Sequence, residues 1–211
     1  MMNIFKKFSK RFLSFFKSKS NIKVGFYGPP NSGKTTLANL ICKTWMGEEL
    51  GIASSIPHET RDIQFKEKVE INHNGKIMTF KIVDTPGIAT KIDYEDFLKH
   101  GLKKKEAKKR AKEATQGIIE SIKWLDDMEA VVIVLDSTEN PYSQVNITII
   151  GNLVARKIPV LIVANKIDLK DSNIKMVEAA FPEYDIVGIS AMDGTNIDGF
   201  YDSLFKLAKK V

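Results

Sequence analysis

An apolar run, Ile22-Lys23-Val24-Gly25-Phe26-Tyr27, breaks at Gly28-Pro29-Pro30-Asn31-Ser32-Gly33-Lys34-Thr35. It is followed by a helix-forming run, Thr36-Leu37-Ala38-Asn39-Leu40-Ile41. Strand, glycine loop and helix in this order give G-x-x-x-x-G-K-[ST] its meaning as a phosphate-binding loop. Gly28 and Gly33 reach backbone conformations closed to other residues and let amides approach an anion. The positive end of the following helix dipole favours the same negative charge. Pro30, Asn31, Ser32, Gly33, Lys34, Thr35 and Thr36 line the expected phosphate site, with Lys34 as the mobile cation for β- and γ-phosphates. The Thr35 hydroxyl is the expected Mg²⁺ ligand.

A loop of this kind needs a parallel sheet behind it, and 211 residues suffice for one such α/β domain. The single cysteine, Cys42, falls on the apolar side of the helix after the loop, which predicts a buried thiol in a reducing, cytoplasmic compartment. No run of eighteen apolar residues offers a membrane-spanning helix. The formal charge of +6 is concentrated at one end. Lys6, Lys7, Lys10, Arg11, Lys17 and Lys19 precede residue 20 with no acidic residue among them, which leaves the remainder close to neutral.

Residues 1–20 form a unit of their own. Ile4, Phe5, Phe8, Phe12, Phe15 and Phe16 repeat at helical spacing, Leu13 widens the face, and cations fill the rest. A cationic helix with a phenylalanine face suits an interfacial anchor on an anionic membrane, at the inner face of the cell membrane. The alternative is a helix that docks this face on the domain or on a partner. Residues 21–211 are then the globular domain.

Within that domain strands and helices alternate. Residues 64–71 alternate apolar with polar, Asn74-Gly75 signals a type I′ hairpin, and residues 76–83 return. Continuous apolar runs at 130–135 and 158–164 read as buried parallel strands, and 185–189 as a weaker sixth strand. Helices are expected near 143–157, 172–180 and 196–209. The pattern predicts a doubly wound, mostly parallel six-stranded sheet with one antiparallel edge strand. Between the third and fourth strands, Tyr94 to Asp127 reads as one helix, or two with a break near Gly101 or Gly117. It carries the basic stretch Lys103-Lys104-Lys105-Glu106-Ala107-Lys108-Lys109-Arg110, either a solvated face or a binder of RNA or lipid phosphate.

Three further boxes sit at predicted strand ends. Asp84-Thr85-Pro86-Gly87 places an acid where it holds Mg²⁺ through water, and Gly87 lets a backbone N–H reach the γ-phosphate. Asn165-Lys166-Ile167-Asp168 offers the Asp168 carboxylate to the two adjacent donors of guanine, with the Lys166 stem along the base. Ser190-Ala191 supplies a backbone N–H for the guanine 6-oxo group.

At these residues the chain resembles small GTPases of the translation-factor-related (TRAFAC) class, in the Era-like branch, over about residues 22–210. The resemblance implies GTP and GDP as ligands, Mg²⁺ as cofactor, and a switch that signals to an effector. It implies that Thr60 closes over Mg²⁺ and the γ-phosphate, so that Lys34, Thr60 and Gly87 form the catalytic set. The residue after Gly87 is Ile88, where Ras-like proteins carry a water-orienting glutamine, which implies slow hydrolysis. Asn31 matches a loop asparagine that holds K⁺ in several relatives, so K⁺ and nucleotide-dependent homodimerisation are the expected stimulants. His58 and Arg61 are alternative contributors. His73 and His100 lack partners at metal-ligand spacing, so no zinc site is expected. Era-type proteins continue into an RNA-binding domain, whereas this chain ends at Val211. A role as an RNA-binding GTPase in ribosome assembly is therefore the alternative to the membrane-attached switch, with the helix at Lys103–Lys112 as its RNA contact.

Overall fold

The computed structural model describes residues 21–51, 62–89, 94–99 and 101–211. The readings placed on residues 1–20, on His58, Thr60 and Arg61, and on His100 lie outside the described residues.

The chain runs β1 (Ile22–Tyr27), α1 (Lys34–Met46), β2 (Gln64–His73), β3 (Lys76–Asp84), α2 (Tyr94–Lys99) and α3 (Lys104–Trp124). It continues through β4 (Ala130–Asp136), α4 (Gln144–Arg156), β5 (Val160–Asn165), α5 (Ile174–Ala180), β6 (Asp185–Gly188) and α6 (Ile197–Ala208). One sheet has the order β2-β3-β1-β4-β5-β6, with β2 antiparallel to β3 and every other pairing parallel. The predicted architecture is present. Of the two readings for residues 94–127, the two-helix one holds, with the break at Gly101, whose φ of 85° takes the left-handed conformation open to glycine.

The local chemistry explains the boundaries. Asn74 and Gly75 both have positive φ (50° and 73°), as a type I′ turn requires. Helix α1 closes on Gly47, whose left-handed backbone returns an N–H to Lys43 O at 3.1 Å. Ser143 and Asn173 cap α4 and α5 by accepting amide hydrogen bonds from Asn146 and Met176. The buried runs of β4 and β5 have helices over both faces, so apolar side chains are tolerated at every position.

Two cores result. On one side α1 and α6 pack Leu37, Ile41, Phe200 and Leu204 against Val24, Phe26, Phe80 and Ile82. On the other, α4, α5 and the turn after α3 pack Ile149, Leu153, Val177 and Leu125 against Tyr27, Val131, Ile133 and Ile162. Tyr27 Oη donates to Ser121 O at 2.9 Å, pinning α3 to the central strand through a buried hydrogen bond. Trp45 Nε1 donates to Tyr201 Oη at 2.9 Å and ties α1 to α6. Cys42 is fully buried, and burial pushes its thiol up to about 11, so it serves as packing.

Phe200 is fully buried between α6 and the sheet. Phe200→Ala is expected to lower unfolding free energy by about 3–5 kcal/mol in denaturant titration.

Candidate functional site

Every strand that points its carboxyl end toward α1 delivers one piece of a single crevice. After β1 the loop 28–33 turns through three positive φ values, Gly28 at 151°, Asn31 at 59° and Gly33 at 93°. A Cβ on Gly28 would stand 2.2 Å from Val134 O, and one on Gly33 would stand 2.1 Å from Asn165 Nδ2. Glycine is thus required twice over, by conformation and by space. Asn31 is exposed at the loop's outer edge, while Ser32 is buried.

Lys34 is the first residue of α1 and only 6% exposed; its Nζ donates to Pro29 O at 2.7 Å. Burial lowers its pKa from 10.5 to about 8, against the opposing attraction of Asp84. Asp84, fully buried at the end of β3, is raised from 3.8 to about 6 by burial, despite the Thr35 hydrogen bond and Lys34. The Thr35 hydroxyl donates to Asp84 Oδ2 at 2.6 Å, and Asp84 Oδ1 is buried without a partner among the described residues. Ser32 Oγ is orphaned in the same way. The hydrogen-bonded Asp84 carboxylate and Thr35 hydroxyl fit a hard divalent cation whose other ligands come from water and phosphate. Among the described residues no cluster of three or more His, Cys, Asp or Glu side chains could hold a metal without such help.

The Asp84-Thr85-Pro86-Gly87 box closes against the first loop. Thr85 Oγ1 donates to Phe26 O at 2.7 Å, and Ile88 N donates to Gly28 O at 3.0 Å. A Cβ on Gly87 would lie 2.7 Å from Pro30 Cα, so the two loops touch backbone to backbone. Pro30 has no N–H to offer a phosphate. It belongs to the site as the surface against which Gly87 packs. Ile88 is 5% exposed and part of the core on the α4 side.

The Asn165-Lys166-Ile167-Asp168 and Ser190-Ala191 boxes are wired into the loop 28–33. Asn165, the last residue of β5, donates through Nδ2 to Ser32 O at 2.8 Å and accepts through Oδ1 from Ala191 N at 2.9 Å. Asn165 therefore holds the loops at the ends of β1, β5 and β6 in one arrangement. The Ala191 N–H expected to be free for a base is engaged by Asn165. Ser190 is buried, and its N–H donates to Thr195 O at 3.1 Å. Lys166 has a φ of 68° and pairs through Nζ with Asp136, so its stem is held at a fixed place. Asp168 lies exposed in the turn after β5, with no hydrogen bond or ion pair among the described residues. Its carboxylate is open to a bidentate donor.

Asp136, the last residue of β4, was not singled out by motif. Burial would raise its carboxyl, but hydrogen bonds from Lys166 and from the Thr138 side chain and amide hold it below the ordinary value. A lone acid ending a wholly apolar strand was the available signal.

Three expectations follow from this wiring. Asn165→Ala removes two buried hydrogen bonds and strands their partners, so about 2–4 kcal/mol of unfolding free energy should be lost in denaturant titration. With divalent cation chelated, the folded state holds the Asp84 proton more tightly than the unfolded chain does. Stability should therefore fall as pH rises from about 4 to about 6, and Asp84→Asn should flatten that slope. Lys34 works oppositely, adding stability as pH climbs from about 8 toward 10.5.

A family model described as "50S ribosome-binding GTPase" matches residues 23–166. Relatives include the GTPase Der of Kosmotoga olearia, 30% identical over 92% of this chain and 40% of that protein, and the GTPase Era of Clostridium botulinum, 30% identical over 87% and 54%. The chain spans about two fifths of the length of the Der proteins it matches across most of its length. Among solved structures, Era in complex with MgGDPNP and a 16S ribosomal RNA segment superposes with a TM-score of 0.67 at 23% identity, covering 89% of this chain and 57% of that one. Aquifex aeolicus Era bound to GDP and AlF₄⁻ gives 0.66 at 24% identity, over 88% and 56%. With its four boxes on one crevice and a family match over most of its length, the chain belongs to the Era-like P-loop GTPases.

Proposed function

We propose that the protein is a GTP-binding switch that hydrolyses GTP slowly to GDP and phosphate, and that it works on or beside the ribosome. The single observation that carries the switch is the Lys34, Thr35 and Asp84 constellation, with Lys34 and Asp84 buried, under a left-handed amide loop. Amides from Asn31 to Thr36 and the Lys34 ammonium neutralise the β- and γ-phosphates. Thr35 and Asp84, the latter through water, are the side chains that would hold Mg²⁺, which supplies charge neutralisation across the phosphates when bound. Gly87 offers its N–H toward the γ-phosphate, Asp168 accepts the two adjacent guanine donors, and Asn165, Lys166, Ser190 and Ala191 frame the base.

Slow turnover is the expectation because Ile88 cannot hydrogen-bond a water. Thr60, and K⁺ at Asn31 or a second subunit, are the proposed supplements. Hydrolysis below about 10⁻² s⁻¹ is expected without stimulation. A rise when Na⁺ is replaced by K⁺ would support the Asn31 role; equal rates would remove it. Lys34→Ala should weaken GTP binding about 100-fold, and Asp168→Asn should do the same for GTP without weakening xanthosine triphosphate. Unchanged GTP affinity in Asp168→Asn would overturn the base assignment.

The ribosome reading rests on the family description and on the Era and Der relatives. A second reading, peripheral attachment to anionic membrane, rests on the six cations, the phenylalanine face and the absence of acids in residues 1–20. Among the described residues no helix is long and apolar enough to cross a membrane. Flotation of the full-length protein on phosphatidylserine vesicles, lost in Phe8→Ser/Phe12→Ser/Phe15→Ser, is the outcome that reading requires. Sedimentation with ribosomal particles in the presence of a GTP analogue is the outcome the first reading requires.

A further inference from the structure

Helix α3 begins with an arrangement that works against its own stability. Lys104 and Lys105 occupy its first turn, where the helix dipole is positive, and Glu106 is the only acid there. Each such cation destabilises the helix end relative to a neutral residue. The N-cap is Lys103, whose side chain accepts no amide hydrogen bond, and the Glu106 carboxylate reaches the Lys103 N–H at a long 3.4 Å. That one long contact offsets little of the mismatch, and a local rule broken in this way points to a function for the residues that break it.

The placement of the remaining lysines is equally specific. At 3.6 residues per turn, Lys104, Lys105, Lys108, Lys109 and Lys112 fall within an arc of about 140° and span about 12 Å of helix. All five are exposed, and the opposite side of the helix buries Ala107 and Ala114 against Phe97. Thr115, Gln116, Ile119 and Lys123 continue the basic face, while Glu106, Glu113 and Glu120 stand at one margin. Lys109 reaches Glu113 at a loose 3.7 Å, and the Lys108 ammonium stands 5.5 Å from the Tyr94 ring centroid. The ridge is thus exposed and only weakly neutralised. It carries no aromatic residue on which a base would stack.

We propose that this ridge of α3 binds the phosphate backbone of duplex RNA, through spacing and charge and without reading sequence. The inference rests on the ribosome-associated reading above and assigns that contact to one face of one helix. Lysines without aromatic platforms suit a double-stranded partner, whose phosphates line accessible grooves while its bases stay stacked. Five phosphate contacts would make binding strongly dependent on salt, with a slope of log K against log salt steeper by about 4 than for a protein lacking them.

The test compares full-length proteins binding an RNA duplex of about 20 base pairs across a salt series. One variant carries Lys104, Lys105, Lys108, Lys109 and Lys112 each changed to Gln. A charge-matched control carries Lys43, Lys68, Lys76, Lys170 and Lys209, all exposed, changed to Gln. The ridge variant removes first-turn cations, so α3 should be at least as stable in it, and its GTP hydrolysis should match wild type. At 0.1 M salt the expected result is a loss of about tenfold or more in the ridge variant, a flattened salt slope and a small change in the control. Equal losses in the two variants would overturn the assignment to α3 while leaving RNA binding intact. No RNA binding by wild type would overturn it, and sedimentation with ribosomal particles would decide separately whether the ribosome reading stands. Retained RNA binding with loss of phosphatidylserine-vesicle binding would assign the ridge to lipid and overturn the proposal.

Discussion

A lysine and an aspartate buried side by side, with too few partners for either, set the character of this molecule. Lys34 is drawn down and Asp84 pushed up because each would be easier to bury neutral. The protein offers Lys34 a backbone carbonyl and Asp84 one hydroxyl, and leaves the second carboxylate oxygen without a partner among the described residues. The crevice is therefore an incomplete polar interior. Its charges match phosphate and a divalent cation better than they match each other. The surrounding fold, with apolar strands covered on both faces, supplies the rigidity that keeps this unfavourable arrangement from relaxing.

Most of that fold was legible in sequence because its signals were local. Asn74-Gly75 determined a hairpin, Gly47 ended a helix, and unbroken apolar runs announced β4 and β5. The four boxes were legible for another reason: each joins unusual residue types at fixed spacing to a strand end. What sequence did not disclose was the wiring among boxes. That Asn165 would use both ends of its carboxamide on Ser32 and Ala191 depends on loops far apart in the chain. Asp136, which anchors Lys166, had no motif around it. The break in the charged segment could be narrowed only to two glycines. Gly117 remains helical and buried, while Gly101 carries the left-handed turn.

Helix α3 stands apart from the rest in how its stability is arranged. Its carboxyl half is held by core contacts and by the Tyr27 hydroxyl, whereas among the described residues its amino half packs mainly on α2. One half of the helix is thus committed to the sheet, and the other presents charge outward. The same element joins the central strand beside the phosphate loop to the outer surface.

On the proposed site assignment, Asn165 couples the two ends of a bound nucleotide. Because one side chain clasps both the phosphate loop and the loop after β6, neither can shift without disturbing a hydrogen bond to the other. Filling the base pocket and filling the phosphate cradle are therefore not independent events. Each must alter the affinity of the other by the same factor. A purine without its phosphates, or a triphosphate on the wrong base, would meet a crevice half-tightened, so that selectivity belongs to the whole nucleotide.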